Sequence, residues 1–492
     1  MARRSAKAVV LIAPWFLASC ALQSPPAAVE GGAPSRWFAA APGPSTLEPG
    51  PAALPHQGSL AGLGQWWRQQ GDPLLVELID AAQQASPTVA SAYSRLEQAR
   101  ATRVAAAAAL LPSLDASAST SRSRSQQPGA PAATLTSSQA GLQAAWEVDV
   151  FGGNAASRNA ASERLAGAQA QWHDARVSVA AEVALQYYGL RSCRQLAGIT
   201  AADAGSRRET ARLSELSMQA GFTAPATAGL ARASSAEASG RATQQAAQCE
   251  IDLKALVALT GVSEPELRQK LLASSAGLKV AAPLALPLLP AEVLAQRPDL
   301  FSAAREVAAA SADVGSADAE RYPRLGLNGS IGVSNLRIGG VSSNLSTWSI
   351  GPLSLSLPLF DGGRRSANVE AAKARYDEAA ALYRAKVRQA VREVEESLVN
   401  LQSTAARSDD ATAAVAGYQS SFIGTEARYR AGLASLVELE DARRLLLASQ
   451  ITQASLQRER LAAWVGLYRA AGGGWSQNTE AAIARANLPP GP

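Results

Sequence analysis

The chain has 492 residues, 46 Lys and Arg against 41 Asp and Glu, a formal charge of +5 and only two histidines. It carries no basic block with interleaved aromatics, which excludes the usual kind of nucleic-acid partner. His56 and His173 lie far apart, in no metal-ligand spacing and beside no nucleophile motif, so no catalytic site, metal or cofactor is expected.

Residues 1–19 place Arg3, Arg4 and Lys7 before the apolar run Ala8 to Ala18. That is the charge-then-apolar order of a secretory signal, and the run is too short to span a bilayer. Its end, Leu17-Ala18-Ser19-Cys20, resembles the bacterial lipobox, in which the cysteine receives a lipid and becomes the acylated N-terminus. An ordinary signal with a chance cysteine is the competing reading. Ala21 rather than Asp follows Cys20, which favours delivery to the outer membrane. Removing the three basic residues lowers the formal charge from +5 to +2. Residues 20–64 are rich in Pro, Ala and Gly without apolar period, as expected of an extended, lipidated tether, and folding is expected to begin at Trp66-Trp67.

Beyond the tether the chain repeats itself. An offset of 211 lays Pro87 on Pro298, Pro112 on Pro323 and Gly221 on Gly432. The stretch Trp146 to Phe151 matches Leu355 to Phe360 at an offset of 209, so the copies differ by a small indel. Self-similarity at this period means two copies of one architectural unit. The first repeat is assigned to 65–275, the second to 276–475, and a tail to 476–492.

Within each repeat a strand region follows the first helix. Ala140, Leu142, Ala144, Trp146, Val148 and Val150 alternate with Gln143, Glu147 and Asp149, a pattern that fits a bilayer-crossing strand of about 11 residues. Leu353 to Leu359 alternates likewise, and Leu325 to Val333 and Leu114 to Thr120 supply partners. Ser121 to Ser138 and Asn335 to Ser346 read as surface loops. A soluble β-sandwich fits the same alternation. Four strands cannot close a membrane barrel, and lipid tolerates no open edge, so a membrane reading requires oligomers of two or three copies.

After the strands, 155–218 and 366–430 run without proline, and Val387, Val391, Val394, Leu398 and Leu401 step as a heptad seam. Each run of about 60 residues would reach roughly 90 Å as a helix. Gly221 and Gly432 end these helices, and Pro225 and Ser435 start the returning ones. An ordinary coiled coil would fit the helices alone, but not their duplicate coupling to strand pairs.

Taken in order, Trp66-Trp67 with Gly71-Asp72-Pro73, Leu96 to Arg100, Leu111-Pro112, Gln296-Arg-Pro-Asp299, Leu357 to Gly363, and Tyr429 to Gly432 with Asp441-Ala442 resemble the TolC/OprM-type outer-membrane efflux channels, specifically the NodT group of efflux lipoproteins. The resemblance implies an α+β membrane protein: a homotrimer whose 12-stranded β-barrel continues into a periplasmic α-helical barrel. It implies a passive duct served by a periplasmic adaptor (membrane-fusion) protein and an inner-membrane transporter of the RND type, in contact with outer-membrane lipid. Acidic residues ring the periplasmic tip in such channels, and Glu438 and Asp441 fall on those positions as the expected gate. Some relatives carry an Arg two residues after the tip glycine that holds the closed state; Ala434 stands there in this chain. The alternative function is a structural periplasmic lipoprotein without a lumen.

Two readings stay open at this level. Ser435-Leu-Val-Glu438 is also a capping-box pattern, which would occupy Glu438 locally. Cys193 and Cys249 are centred on Gly221, level with each other on antiparallel helices, so they form either a disulfide or two free thiols on different helix faces.

Overall fold

The computed structural model describes residues 24–39, 67–68, 70–126, 129, 132–274, 290–338 and 341–475. The signal region 1–19, Cys20 and the tail 476–492 lie outside the described residues.

The duplication appears as two sets of matching elements. The first repeat gives α1 (Pro73–Ala85), α2 (Pro87–Ala108), β1 (Ser113–Ser125), β2 (Ala133–Val148), α3 (Gly153–Gln219), α4 (Pro225–Thr260) and α5 (Glu264–Ala273). The second gives α6 (Pro290–Ala295), α7 (Pro298–Ala319), β3 (Arg324–Ile338), β4 (Val341–Ser356), α8 (Arg364–Arg430) and α9 (Leu436–Ala470). Helices α2 and α7 both have 22 residues, and α3 and α8 both have 67. Proline is the first residue of α2, α4 and α7, where its missing N–H costs nothing. Among the described residues no helix is long and apolar enough to cross a membrane.

Two compact units emerge, each drawing on both repeats. The first gathers residues up to Gly31 with Ser94–Gln169 and Ser302–Arg384; the second gathers Gly32–Tyr93, Ala170–Phe301 and the residues from Ala385 on.

The first unit holds one antiparallel sheet in the order β1-β2-β3-β4. Pairing is continuous from Leu114 opposite Ala144 to Ala144 opposite Gly329 and Gly329 opposite Ile350, so four strands share one register. One face carries Leu114, Leu142, Trp146, Leu327, Ile331 and Trp348; the other carries Asp115, Gln143, Glu147, Asn328, Ser330 and Ser349. A bulge between Leu327 and Gly329 faces Gly351-Pro352 and keeps Leu353 and Leu355 on the apolar side. On the polar side Gly141 meets Gly332; a Cβ on Gly141 would stand 2.8 Å from the Ile331 carbonyl oxygen, so the strands need glycine there.

The strand ends differ from the sequence expectation. The segments read as loops, 121–138 and 335–346, are mostly strand, because ladder hydrogen bonds continue whatever the side chains' polarity. Conversely, the strand expected through Leu359 stops at Ser356, before Pro358, which has no N–H for the ladder. Residues 24–39, part of the segment read as an extended tether, lie against folded elements. Ser311 Oγ donates to the Pro25 carbonyl (2.6 Å) and Tyr376 Oη to the Pro26 carbonyl (2.9 Å). In the second unit the amides of Phe38 and Ala39 donate to the two Glu395 carboxylate oxygens, each at 2.7 Å.

The second unit has the larger core, built from Leu75, Leu78, Tyr187, Leu190, Leu253, Leu256, Leu398 and Leu467, with Trp67 edge-on to Tyr468 at 4.9 Å. Each buried leucine there contributes about 1.5–3 kcal/mol relative to exposure.

Candidate functional site

The two hairpin tips, both in the second unit, are built alike. After α3, Gly221 takes φ +81° while its N–H bonds to the Met218 carbonyl and the Phe222 N–H to Ser217, both at 2.9 Å. After α8, Gly432 takes φ +75°, its N–H bonds to Tyr429 (3.0 Å) and the Leu433 N–H to Arg428 (2.8 Å). Both glycines satisfy orphan helix carbonyls from a left-handed conformation that other residues adopt only with strain. Phe222 and Leu433, at corresponding places in the repeats, are 87% and 70% exposed. Ala211, Ala231, Leu436 and Leu439 pack the hairpins together, with Phe422 and Tyr429 against them.

Glu438 and Asp441 stand three apart in the first two turns of α9, both exposed. Glu438 closes the capping box: its N–H bonds to Ser435 Oγ (3.2 Å), and its carboxylate accepts the Ser435 N–H (3.0 Å). Asp441 accepts from Arg444 Nη2 at 3.0 Å, with side-chain exposures of 61% and 73%, so the pair is worth little and leaves the carboxylate accessible.

Between these exposed carboxylates the chain builds an inward charge network that sequence reasoning missed. Arg207 of α3 contacts Asp203 one turn back (3.0 Å) and pairs with Glu440 of α9. Glu440 also accepts from Ser234 of α4 (2.7 Å) and from Arg443 (3.0 Å). Arg443, 4% exposed, donates to Thr210 Oγ1 (2.8 Å) and lies over the Phe422 ring of α8 at 5.6 Å. One cluster thus ties all four helices of the two hairpins. A groove of about 460 Å³ lies beside it, lined by Ile199, Asp203, Phe422, Arg443 and Leu446. A signal was present: Leu436, Leu439, Arg443 and Leu446 step by three and four, so the arginine occupies a seam position.

Cys193 and Cys249 are joined by a disulfide with their Cα atoms 5.5 Å apart, inside the large core and away from the tips. Two other sequence motifs serve the same unit. Asp72 caps α1 and accepts the Tyr187 hydroxyl at 2.6 Å. Arg297 binds Asp299 through Nε (3.0 Å) and Nη2 (2.8 Å), Glu393 of α8 (2.8 Å) and the Ala470 carbonyl at the end of α9 (2.9 Å). Burial pushes the Asp299 carboxyl up, but Arg297 outweighs it and holds the group below the ordinary carboxylate range. Nearby, burial and the Asp299 charge push Asp174 up, against the pull of Arg469, Arg297 and Lys386.

A sheet apolar on one face, joined in duplicate to two long helical hairpins, defines the class of outer-membrane efflux channels. The chain belongs to the family described as outer membrane efflux protein, which matches residues 78–262 and 289–473, one match in each repeat. It is 30% identical over 411 residues to the solvent efflux pump outer membrane protein SrpC of Pseudomonas putida, covering 82% of this chain and 86% of that one. It is 29% identical over 394 residues to nodulation protein T of Rhizobium leguminosarum bv. viciae, covering 79% and 80%. The solved outer-membrane channel OprN superposes with a TM-score of 0.76 at 29% identity, over 88% of this chain and 99% of that one. The protein is an outer-membrane channel component of the tripartite efflux type.

Proposed function

We propose that three copies of the chain close a 12-stranded barrel and act as a passive duct, anchored by lipid on Cys20, with no chemical step of its own. The observation that carries this is the open four-stranded sheet: among the described residues its edge strands β1 and β4 pair with no further strand, and one face is apolar throughout its middle. An apolar sheet in lipid must close, because each unpaired backbone group in hydrocarbon costs several kcal/mol. Three copies give the strand number that the resemblance to trimeric channels requires; two would give eight.

In this reading Glu438 and Asp441 contribute six carboxylates around the axis at the periplasmic constriction, which attract cations. Phe222 and Leu433 offer apolar knobs to a periplasmic adaptor protein, and an inner-membrane transporter, of the RND type, supplies the driving force. The cognate cargo follows from the pump rather than from the duct.

Single-channel recording in a planar bilayer tests the duct. A conducting pore is expected; a protein that inserts without carrying current would be a structural spacer. Intact-mass measurement of the mature protein is expected to show acylated Cys20 as the first residue.

A further inference from the structure

The register fixes where each charged side chain of the sheet stands. Between residues 116 and 146, and between 325 and 360, the only charged residues are Arg122, Arg124 and Arg337. Arg122 lies opposite Thr136, and Thr136 lies opposite Arg337 on its other side. The two arginines therefore share one face, about 10 Å apart at two strand spacings. Arg124, opposite Thr134, stands on the same face two positions nearer the hairpin turn. That face is the one carrying Leu142, Ile331 and Trp348, the face turned to lipid, and all three arginines are exposed.

Their height on that face identifies what they meet. The last apolar row, Ala118 with Ala140 and Val333, ends four residues before Arg122 and Arg337. Four residues are about 13 Å along a strand, or about 10 Å along the membrane normal at a tilt of ~40°. The head-group layer beyond the hydrocarbon is roughly 5–7 Å thick, and an arginine stem lets its guanidinium fold back into that layer. The hairpin turns lie at the strand ends opposite the junctions with α3 and α8, so this level belongs to the outer leaflet. Three cations per chain face outward there, and the two sequence stretches that build this part of the sheet contain no carboxylate.

We propose that Arg122, Arg124 and Arg337 form a binding patch for the phosphate groups of outer-leaflet lipopolysaccharide. Guanidinium forks bind phosphate oxygens bidentately, and the outward, membrane-level placement selects a phosphorylated glycolipid as the occupant. The proposal rests on the barrel reading above, since a lipid-facing side exists only if the sheet closes.

The test compares the full-length protein with the Arg122→Gln/Arg124→Gln/Arg337→Gln variant, both in detergent, by titration with lipopolysaccharide and with the same glycolipid after enzymatic dephosphorylation. The wild type is expected to prefer the phosphorylated form about tenfold, as charge-assisted bonds to phosphate would give, and the variant to lose that preference. An Arg→Lys triple variant is expected to retain part of it. Conductance should be the same in all three proteins. Equal binding of the two glycolipids by the wild type, or an undiminished preference in the glutamine variant, overturns the patch. Absence of conductance in every protein would overturn the barrel reading and the patch with it.

Discussion

Arg443 donates through Nη2 to Thr210 Oγ1 at 2.8 Å, joining the returning helix of the second hairpin to the outgoing helix of the first. Its Nη1 donates to Glu440 at 3.0 Å, and Glu440 itself pairs with Arg207. The two hairpins are thereby coupled by buried charge close to their tips.

Removing one member of a buried pair leaves its partner charged and unsatisfied, at a cost of about 3–5 kcal/mol. Arg443→Ala should therefore destabilise the helical body by that order and raise the open fraction of single channels. Arg443→Met combined with Glu440→Gln should do less damage than Arg443→Ala, because no charge is stranded on that pair. Equal thermal and conductance behaviour of wild type and Arg443→Ala would show that the contact holds nothing closed.

The acidic ring is tested by Asp441→Asn, alone and with Glu438→Gln. Asp441→Asn is expected to reduce cation selectivity and block by divalent ions, since that carboxylate is exposed and meets only a surface arginine. Glu438→Gln should add a smaller change in selectivity together with a loss of up to ~1 kcal/mol of helix capping. If the double variant conducts with unchanged selectivity and block, the two carboxylates do not line the constriction.

Asp174 gives a pH-dependent prediction. Burial and the neighbouring Asp299 raise its folded-state pKa above the unfolded value, so its favourable contribution belongs to the protonated form. That contribution is present below the unfolded pKa and lost as pH rises through the folded pKa. Asp174→Asn should melt above the wild type at pH 7, and the gap should close as pH falls from the raised folded-state pKa into the ordinary carboxylate range. A gap that stays constant with pH would mean that ionisation of Asp174 carries no stability cost.

The Cys193–Cys249 bond spans a sequence separation of 56. On the loop-closure view such a crosslink stabilises by about 3–4 kcal/mol. Non-reducing peptide mapping should recover the 193–249 crosslink, and Cys193→Ser/Cys249→Ser should melt at lower temperature. Two alkylatable thiols in the purified protein would contradict the assignment.

The helices were legible because their ends are punctuated: Pro87, Pro225, Pro298, Gly221 and Gly432 mark boundaries within one or two residues of those observed. The middle of each strand was legible for a similar reason, since one face has to be apolar. Strand ends were not, because Arg122, Thr136 and Arg337 continue the ladder without an apolar signal. The docking of residues 24–39 was invisible to periodicity because proline carbonyls and main-chain amides carry it. At the tips, Glu438 and Asp441 are singled out by position alone, whereas Arg443 and Glu440 make their contacts across four helices, which no single stretch of sequence displays.

The central claim is that β4 of one copy completes the sheet by pairing with β1 of the next. The duplication supplies the register: within the chain Trp146 of β2 lies opposite Leu327 of β3. The ladder repeats at 211, Leu114–Ala144 recurring as Leu325–Leu355, which carries that pair to Leu357 opposite Ala116, and the next pair, Ala144–Gly329, to Leu355 opposite Ala118 of the neighbouring copy. Directly opposed residues of antiparallel strands have Cβ atoms about 5 Å apart. The disulfide occupies Cys193 and Cys249, leaving the introduced thiols as the reactive pair. Oxidation of the Ala118→Cys/Leu355→Cys variant in membranes is predicted to give a covalent species of three chains, formed by neither single variant. Crosslinking that ends at two chains, extends beyond three, or fails to join chains at all would contradict the account.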